Sequence, residues 1–549
     1  MNFIKKILTK INLQSLLVSL CILAVCVATQ QIQTAAWYTG IIEFSRDSLG
    51  VLMAVILMTN YHINDFKTHK LPYIIWSVLG IALAVILVPA AVAKRDSFLM
   101  ADTIIIALGI FLMGYCIIHT LISFFAEKYR PRFYLPLFMI WLVMLILMIF
   151  SRSDYIWPEC YFVLFLCYYM TKQTPSQRTN LTRGIINGIV LGYIAIQAHS
   201  LLFRPYDRVR YYGNFCNPNH NCMFLCMCLA AILAKILFLV KENAKKIVKI
   251  FYYLLAGTCY SLICMTVCHT GYLTTFFLTF FFLAAYCKLK KKLVFIRMGL
   301  LLVLIFTLML PTTYLAVRYI PTIHPHVLFY FQEGYSENRV HSWDDRDSPK
   351  YVTFTQLLKQ ITGRFENRLS LLHQSSKESG IGAWAGPETA SAAANPFSSI
   401  GSQVETDTEL IEADPDKIPA LTHEESRNSF TVRYTIYKWY FTHLSLRGMP
   451  YDEQGFQLTD DHWIQDTHNI YLDYGINFGY PVMILFTVFI WWGIGRLVKH
   501  GFKTRDVEKL SCLMIALVPP IFGLFEFSWG PGLISTVAFY FTFKEMFTA

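Results

Sequence analysis

The sequence predicts an all-α polytopic membrane protein with about fourteen transmembrane helices and one long extracytoplasmic loop. Three observations carry this prediction. The 549 residues are 55% hydrophobic and only 15% charged, whereas soluble domains have about a quarter charged residues. The apolar residues come in blocks of about 20, the helix length that spans a bilayer. The short segments between these blocks are alternately rich and poor in Lys and Arg, as the loops of polytopic proteins are.

The apolar blocks define the predicted spans in chain order. The first block follows three lysines, and a cleaved signal peptide is the alternative there. Its apolar run is long for a signal peptide, so we interpret it as a retained helix. The predicted spans are residues 13–30, 46–61, 71–92, 102–122, 133–151, 156–170, 184–203, 219–240, 250–268, 272–287, 298–317, 469–494, 511–528 and 530–546.

Every second loop is basic, which sets the predicted orientation. Examples are "AEKYRPR" (126–132), "KENAKKIVK" (241–249) and "KLKKK" (288–292). The loops of this side and the two tails carry about 26 Lys and Arg, against about seven in the short loops of the other side, and the excess marks the cytoplasm. Both termini are then expected to be cytoplasmic.

A polar insertion divides the chain into three parts. Residues 1–317 hold the first eleven predicted helices, residues 318–468 form the extracytoplasmic loop, and residues 469–549 hold the last three helices. The loop contains no cysteine, and most of the 14 cysteines lie in apolar blocks. The sequence therefore predicts neither a disulfide framework nor a paired C-x-x-C metal site.

The external loop contains two predicted amphipathic helices. In residues 351–373, the apolar side chains recur at helical spacing. Two placements stay open for that helix, on the bilayer surface or against the rest of the loop. Residues from about 375 to 425 are rich in Ser, Ala, Gly and acidic residues, which predicts disorder. Residues 428–450 again have an apolar face, and Gly448 and Pro450 are predicted to end that helix.

Two residue pairs mark the last predicted spans. Gly475 and Gly479 are four apart, the spacing at which small residues let two membrane helices approach closely. Pro519 and Pro520 interrupt the thirteenth span, which a membrane tolerates only where protein or a cavity satisfies the backbone. Glu526 lies near the outer end of that span, and we expect it to face the protein interior without assigning it a role.

Basic residues on the predicted external side form a candidate anion site. Snorkelling, or pairing with nearby acids, accounts for any single one of them. Several at one interface favour an anion site, because guanidinium groups bind phosphate oxygens through two parallel hydrogen bonds. The diphosphate of a lipid-linked sugar is the external anion that a membrane enzyme would hold. The residues are Arg204, Arg208, Arg210, Lys94, Arg95, Arg433 and Arg447.

His468 is the candidate proton acceptor. It lies at the predicted outer boundary of the twelfth span, and the side chain of Asn469, which follows it, is placed to position a hydroxyl group. Imidazole is the side chain that exchanges protons near neutral pH, as a general base must. A histidine that only caps the start of an interfacial helix is the alternative.

Three segments in the second half of the chain carry a family resemblance. They are "GNFCNPNHNCMFL" (213–225), "VRYTIYKWYFTHLSLRG" (432–448) and "THNIYLDYGINFGYPVMILF" (467–486). They resemble, in this order, the external G-x-F-x-N-P-N segment, the Arg-led helix that ends in glycine, and the H-N-x-x-L-x-x-x-x-x-x-G signature of O-antigen ligases and related bacterial polysaccharide polymerases. The resemblance covers roughly residues 184–495 and does not separate ligase from polymerase.

The resemblance implies glycosyl transfer at the extracytoplasmic face of the bacterial cytoplasmic membrane. The donor would be a glycan on undecaprenyl diphosphate and the acceptor a hydroxyl of a glycan or lipid, with inversion at the anomeric carbon and without a metal or other cofactor. Arg433 and Arg210 would bind the diphosphate, and His468 would act on the acceptor hydroxyl. Lys94 is implied only by its position in a loop. Membrane lipid is an expected partner, and nucleic acid is not.

The chain departs from the family pattern at one point. Many relatives carry Ser-Arg-Gly where this chain has "CHTGYL" (268–273), so either nearby arginines replace that residue or the diphosphate is held differently. A lipid-linked glycan flippase is the main alternative function. It predicts charged residues along a central cavity, whereas here they gather at the outer rim. A sensor or scaffold that binds a partner through the external loop is a third possibility.

Overall fold

The fold is mostly helical, as the composition predicts. It is seen here in a computed structural model. The predicted disordered segment, about 375–425, lies outside the residues that the structure describes. The described residues are 12–30, 36–93, 97–131, 134–154, 157–203, 210–215, 217–290, 294–320, 353–362, 429–459, 462–465, 467–526, 529–530 and 532–548.

The helices that precede the polar insertion follow one another with short connections. They are α1 (Leu13–Ala28), α2 (Ala36–Asp47), α3 (Leu49–Met58), α4 (Ile63–Thr68), α5 (Lys70–Ala93), α6 (Ser97–Phe125), α7 (Leu135–Ile149), α8 (Trp157–Met170), α9 (Pro175–Phe203), α10 (Pro218–Lys241), α11 (Lys246–Met265), α12 (His269–Lys290) and α13 (Phe295–Tyr319).

The described parts of the insertion and the C-terminal region contain the remaining elements. A short 3₁₀ turn, Tyr451–Glu453, precedes the two strands. The elements are α14 (354–362), α15 (Ser429–Thr442), β1 (Phe456–Thr459), β2 (His462–Ile464), α16 (Ile470–Phe478), α17 (Tyr480–Thr504), α18 (Val507–Phe522) and α19 (Ile534–Thr548).

Within the described residues, 7 helices are long and apolar enough to cross a membrane. Four further apolar helices are shorter, with 10–17 residues. Each predicted span coincides with at least part of a helix, but the count of about fourteen crossings stays a prediction. The seven are Thr103–Phe125, Pro175–Leu201, Pro218–Lys241, Lys246–Met265, His269–Lys290, Phe295–Tyr319 and Tyr480–Thr504.

Helix α10 is the centre of the fold. Within this helix, 94% of the most apolar 18-residue stretch is buried inside the protein. The helix packs against α9, α11, α12 and α18. A helix that is apolar on all sides is typical of a protein core or a membrane span. The side chain of Asn217 accepts a hydrogen bond from the amide of Asn219, and Pro218 occupies the first turn. This cap fixes where α10 begins, next to the candidate site.

Helices α1 and α9 approach each other through glycines. Gly184, Gly188 and Gly192 lie at four-residue spacing on α9 and face α1. A Cβ atom on Gly188 would lie 2.6 Å from the Cβ atom of Ile22. The small-residue packing rule applies here, although the sequence analysis applied it only to Gly475 and Gly479.

The twelfth predicted span, residues 469–494, is not one helix. Gly479 has a φ of +99° and separates α16 from α17. The close approach at Gly475 and Gly479 is therefore not between two membrane helices. A Cβ atom on Gly479 would lie 2.2 Å from the carbonyl oxygen of Leu446, so the glycine lets the segment after α15 cross the α16–α17 junction.

The polar insertion also differs from an all-α prediction. Strands β1 and β2 form an antiparallel pair with Phe456 opposite Ile464. Helix α15 ends at Thr442 rather than at Gly448 and Pro450. The hydroxyl of Thr442 donates to its own helix, at the carbonyl of Trp439, 2.8 Å away, and the chain then turns.

The described part of the first amphipathic helix packs on the helical bundle. Leu357 on α14 is buried in the main core, and the ring of Phe354 lies 5.3 Å from that of Tyr314 on α13. For residues 354–362, packing against protein is therefore the observed placement.

Candidate functional site

Glu526 is the hub of the candidate site. It follows the end of α18, and its side chain is 7% exposed. One oxygen, Oε1, accepts hydrogen bonds from Arg433 and Asn219, and the other, Oε2, faces His468. A buried carboxylate needs such partners because burial removes its hydration. The sequence analysis assigned this residue no role.

Arg433 reaches Glu526 from helix α15 of the polar insertion. Its Nη2 atom donates to Oε1 of Glu526, and its side chain keeps 32% of its surface exposed. Helix α15 is held in place by Ile436, Trp439 and Tyr440, which belong to a second hydrophobic cluster with the hairpin and α16. The guanidinium group is thus fixed by one carboxylate while part of it still faces solvent.

Arg210 joins the same network through Asn219. Its Nε atom donates to the carbonyl of Thr266 at 2.7 Å, and its Nη2 atom donates to Oδ1 of Asn219. The Nδ2 atom of Asn219 then donates to Oε1 of Glu526 at 2.9 Å. One amide side chain therefore links the guanidinium of Arg210 to the carboxylate of Glu526.

The segment that carries these two residues folds tightly before α10. The amide of Tyr211 donates to the carbonyl of Met265 at 2.9 Å. Gly213 has a φ of +57°, and a Cβ atom there would lie 3.0 Å from Oγ of Ser200. This turn brings Arg210 back over the start of α10, where Asn219 lies in the first turn.

His468 lies beside Glu526 at the start of α16. Its Nδ1 atom is 3.9 Å from Oε2 of Glu526, which is beyond hydrogen-bond distance. The residue has a φ of +49° and its side chain is 34% exposed. A non-glycine residue in this left-handed conformation is uncommon and is found at functional turns.

Asn469 forms the N-terminal cap of α16. Its Oδ1 atom accepts from the amides of Tyr471 and Leu472, and its Nδ2 atom donates to the carbonyl of Leu524 at 2.9 Å. The side chain is therefore engaged on both ends within the protein. In this structure it holds the turn that carries His468, rather than presenting its amide to a hydroxyl as the sequence analysis expects.

Tyr437 connects helix α15 to the turn at His468 and to the end of α18 near Leu524. Its hydroxyl lies 3.3 Å from the carbonyl of His468 and 3.4 Å from that of Leu524. Burial raises the pKa of the Tyr437 phenol, and the nearby Arg433 opposes that rise. The hydroxyl accordingly stays protonated at neutral pH and donates to these carbonyls.

The other predicted site residues are distributed as follows. Lys94, Arg95, Arg204 and Arg208 lie outside the described residues. Arg447 is described, and both its Nε and Nη2 atoms donate to the carbonyl of Phe150, at 3.0 and 2.7 Å. It therefore anchors the segment after α15 to the end of α7 instead of contacting Glu526.

Two residues of the cluster were not predicted as site residues. Asn219 stands in the quoted G-x-F-x-N-P-N segment, so that motif was the signal available for it. Glu526 could be marked only as an acid at the end of a span. Among the described residues, no group of three or more His, Cys, Asp or Glu could hold a metal ion.

The arrangement combines two chemical capacities. The guanidinium groups of Arg210 and Arg433 are half-buried and offer hydrogen-bond donors to an anion. The imidazole of His468 beside them can accept a proton. The cluster lies where α10, α12 and α16 begin and α11 and α18 end. No protein-family model, curated protein or solved structure matches the chain.

Proposed function

We propose that this chain is a membrane glycosyltransferase that moves a glycan from an undecaprenyl-diphosphate carrier to an acceptor hydroxyl, as O-antigen ligases and bacterial polysaccharide polymerases do. One observation supports this function above the others: three residues predicted from separate stretches of the sequence come together at Glu526. Arg433 donates to its carboxylate, Arg210 is linked to it through Asn219, and His468 faces it. The charge bias of the short loops favours the extracytoplasmic side of the bacterial cytoplasmic membrane for this end of the bundle.

The donor diphosphate would lie against the two arginines. Arg433 and Arg210 stabilise the negative charge that grows on the diphosphate as the bond to the anomeric carbon breaks. Guanidinium groups suit this task because they remain charged and bind phosphate oxygens in pairs. Lys94 or Arg95, together with Arg204 and Arg208, are proposed as further donors to the diphosphate on the strength of the sequence, since they lie outside the described residues.

The acceptor hydroxyl would be activated by His468. The oxygen of the acceptor hydroxyl forms a bond to the anomeric carbon on the face opposite the diphosphate, so the configuration at that carbon inverts. The hydroxyl proton passes to the imidazole, and the electron pair of the broken bond leaves with undecaprenyl diphosphate. Proton removal of this kind contributes about 100- to 10,000-fold to a rate.

A reconstituted assay tests the proposal. The purified protein in liposomes receives a fluorescent oligosaccharide on undecaprenyl diphosphate, with and without a candidate acceptor. A longer or transferred glycan together with free undecaprenyl diphosphate supports the transferase. Movement of the intact donor between leaflets would identify a flippase. If the glycan is neither transferred nor moved, the protein is a binding protein such as a sensor or scaffold. In cells, deletion should abolish either long chains or their attachment, and the two losses distinguish polymerase from ligase.

A further inference from the structure

The bonds made by Glu526 suggest that its carboxylate occupies the place of the donor's phosphate. In this structure Arg433 donates to Oε1 of Glu526, and Asn219 donates to the same oxygen at 2.9 Å. These are the donors that an incoming anion would seek. Oε2 is 3.9 Å from Nδ1 of His468, too far for a hydrogen bond.

We propose that Glu526 is an internal anion that exchanges partners: it neutralises Arg433 while the donor is absent and, once the diphosphate takes Arg433, its carboxylate turns to His468. This inference rests on the proposed function and adds an order of events to it. Donor binding precedes, and enables, proton removal from the acceptor.

The electrostatic argument has two parts. A carboxylate with 7% of its surface exposed needs another hydrogen-bond donor when it loses Arg433, because a buried charge without partners is costly. The Nδ1–H group of a neutral His468 faces Oε2 of Glu526 and can donate to it, which leaves Nε2 free to accept the acceptor's proton. The imidazole that accepts the acceptor's proton therefore gains a carboxylate partner only after the diphosphate has drawn Arg433 away.

The geometry allows this exchange without a large movement. Arg433 binds one oxygen of the Glu526 carboxylate and His468 faces the other. A rotation of the Glu526 side chain can therefore release Arg433 and bring the carboxylate to His468. The backbone around His468 is held by the Tyr437 hydroxyl and by the Asn469 cap. Only side chains need to move.

The residue is a positioning residue in this account, and its removal should separate binding from turnover. In Glu526→Gln the diphosphate no longer competes with a carboxylate for Arg433, so undecaprenyl diphosphate should bind at least about fivefold more tightly. Turnover should fall, because the imidazolium loses its carboxylate. A lower KM for the donor with a lower kcat is the expected pattern.

The experiment measures undecaprenyl diphosphate binding to the full-length protein in nanodiscs, with inorganic pyrophosphate as competitor. The matched control is Glu453→Gln, which removes an exposed carboxylate paired with Arg152 at 3.8 Å and away from the cluster. It changes the net charge equally and should alter neither binding nor turnover. Glu526→Asp keeps the charge and should bind the donor close to the wild-type affinity.

The outcomes are separable. Tighter binding and slower turnover in Glu526→Gln alone support the exchange. Weaker or unchanged binding in Glu526→Gln, with wild-type binding intact, overturns it and makes Glu526 a structural part of the cradle. If the wild-type protein binds no undecaprenyl diphosphate, the proposed function itself fails. Thermal stability, recorded for each variant, identifies a variant that has not folded.

Discussion

Arg433 and Glu526 form an ion pair across 93 positions of the sequence. Arg433 lies on helix α15, and Glu526 follows α18. The pair joins the polar insertion to the bundle at the point where Asn219 donates to the same carboxylate and His468 faces it.

Replacing His468 by alanine should lower glycan transfer about 100- to 10,000-fold, because the acceptor hydroxyl loses its proton acceptor. Binding of undecaprenyl diphosphate should weaken as well, because Glu526 then lacks the imidazole partner that it needs when the diphosphate takes Arg433. Transfer by membranes that carry the variant is the measurement. His443→Ala is the control: that imidazole stacks on Trp439 outside the cluster. A native transfer rate in His468→Ala would remove His468 from the mechanism.

Arg433→Lys keeps the positive charge but loses the planar donor pair, so donor binding and transfer should both weaken. Hydrogen bonds to charged groups are worth about 1.5–3 kcal/mol, which corresponds to about 10- to 100-fold in rate. The matched variant is Arg447→Lys, because Arg447 belongs to the same segment but donates to the carbonyl of Phe150 instead of to Glu526. Equal losses in both variants would contradict a special role for Arg433.

The close packing of α1 and α9 makes Gly188 sensitive to a single methyl group. In Gly188→Ala the new Cβ atom would lie 2.7 Å from the carbonyl oxygen of Ser19, so the helices must separate. We expect a loss of about 1–3 kcal/mol in stability, measured as a lower Tm in detergent. Gly495→Ala on α17 meets nothing within 4 Å and should not lower Tm. Indistinguishable Tm values would show that this contact is loose.

A charge cluster at the other end of the bundle predicts a difference between two arginines. Arg178 lies 3.1 Å from Glu508 and 3.4 Å from the nearly buried Glu545. Arg178→Ala leaves these carboxylates uncompensated and should cost about 3 kcal/mol of stability. Arg183 pairs with Glu242 where both are well exposed, so Arg183→Ala should cost less than about 1 kcal/mol. Comparable drops in Tm would refute the distinction.

The sequence alone predicted the helices well, because apolar blocks bounded by charged loops have few alternatives. It did not predict the break at Gly479, since the +99° backbone there is imposed by the crossing of Leu446. Nor did it predict the β1–β2 hairpin, whose strands are only four and three residues long. The break depends on a contact with a separate segment, and the strands are too short to show a clear alternation of apolar and polar residues.

The candidate site divides along the same line. Arg210, Arg433 and His468 could be proposed because external basic residues and an interfacial histidine stand out against an apolar chain. Glu526, which connects them, could not be proposed from the sequence, because its contacts arise only when the end of α18 lies beside α15 and the start of α10. The capping bonds of Asn469 likewise belong to a turn that the sequence does not display.

The most direct test of the central claim is an electron cryo-microscopy structure with undecaprenyl diphosphate bound. The account predicts density for the diphosphate within hydrogen-bond distance of Arg433 and Arg210, with the imidazole of His468 on the adjoining side and Glu526 no longer bonded to Arg433. A diphosphate bound elsewhere, with the Arg433–Glu526 pair intact, would contradict it.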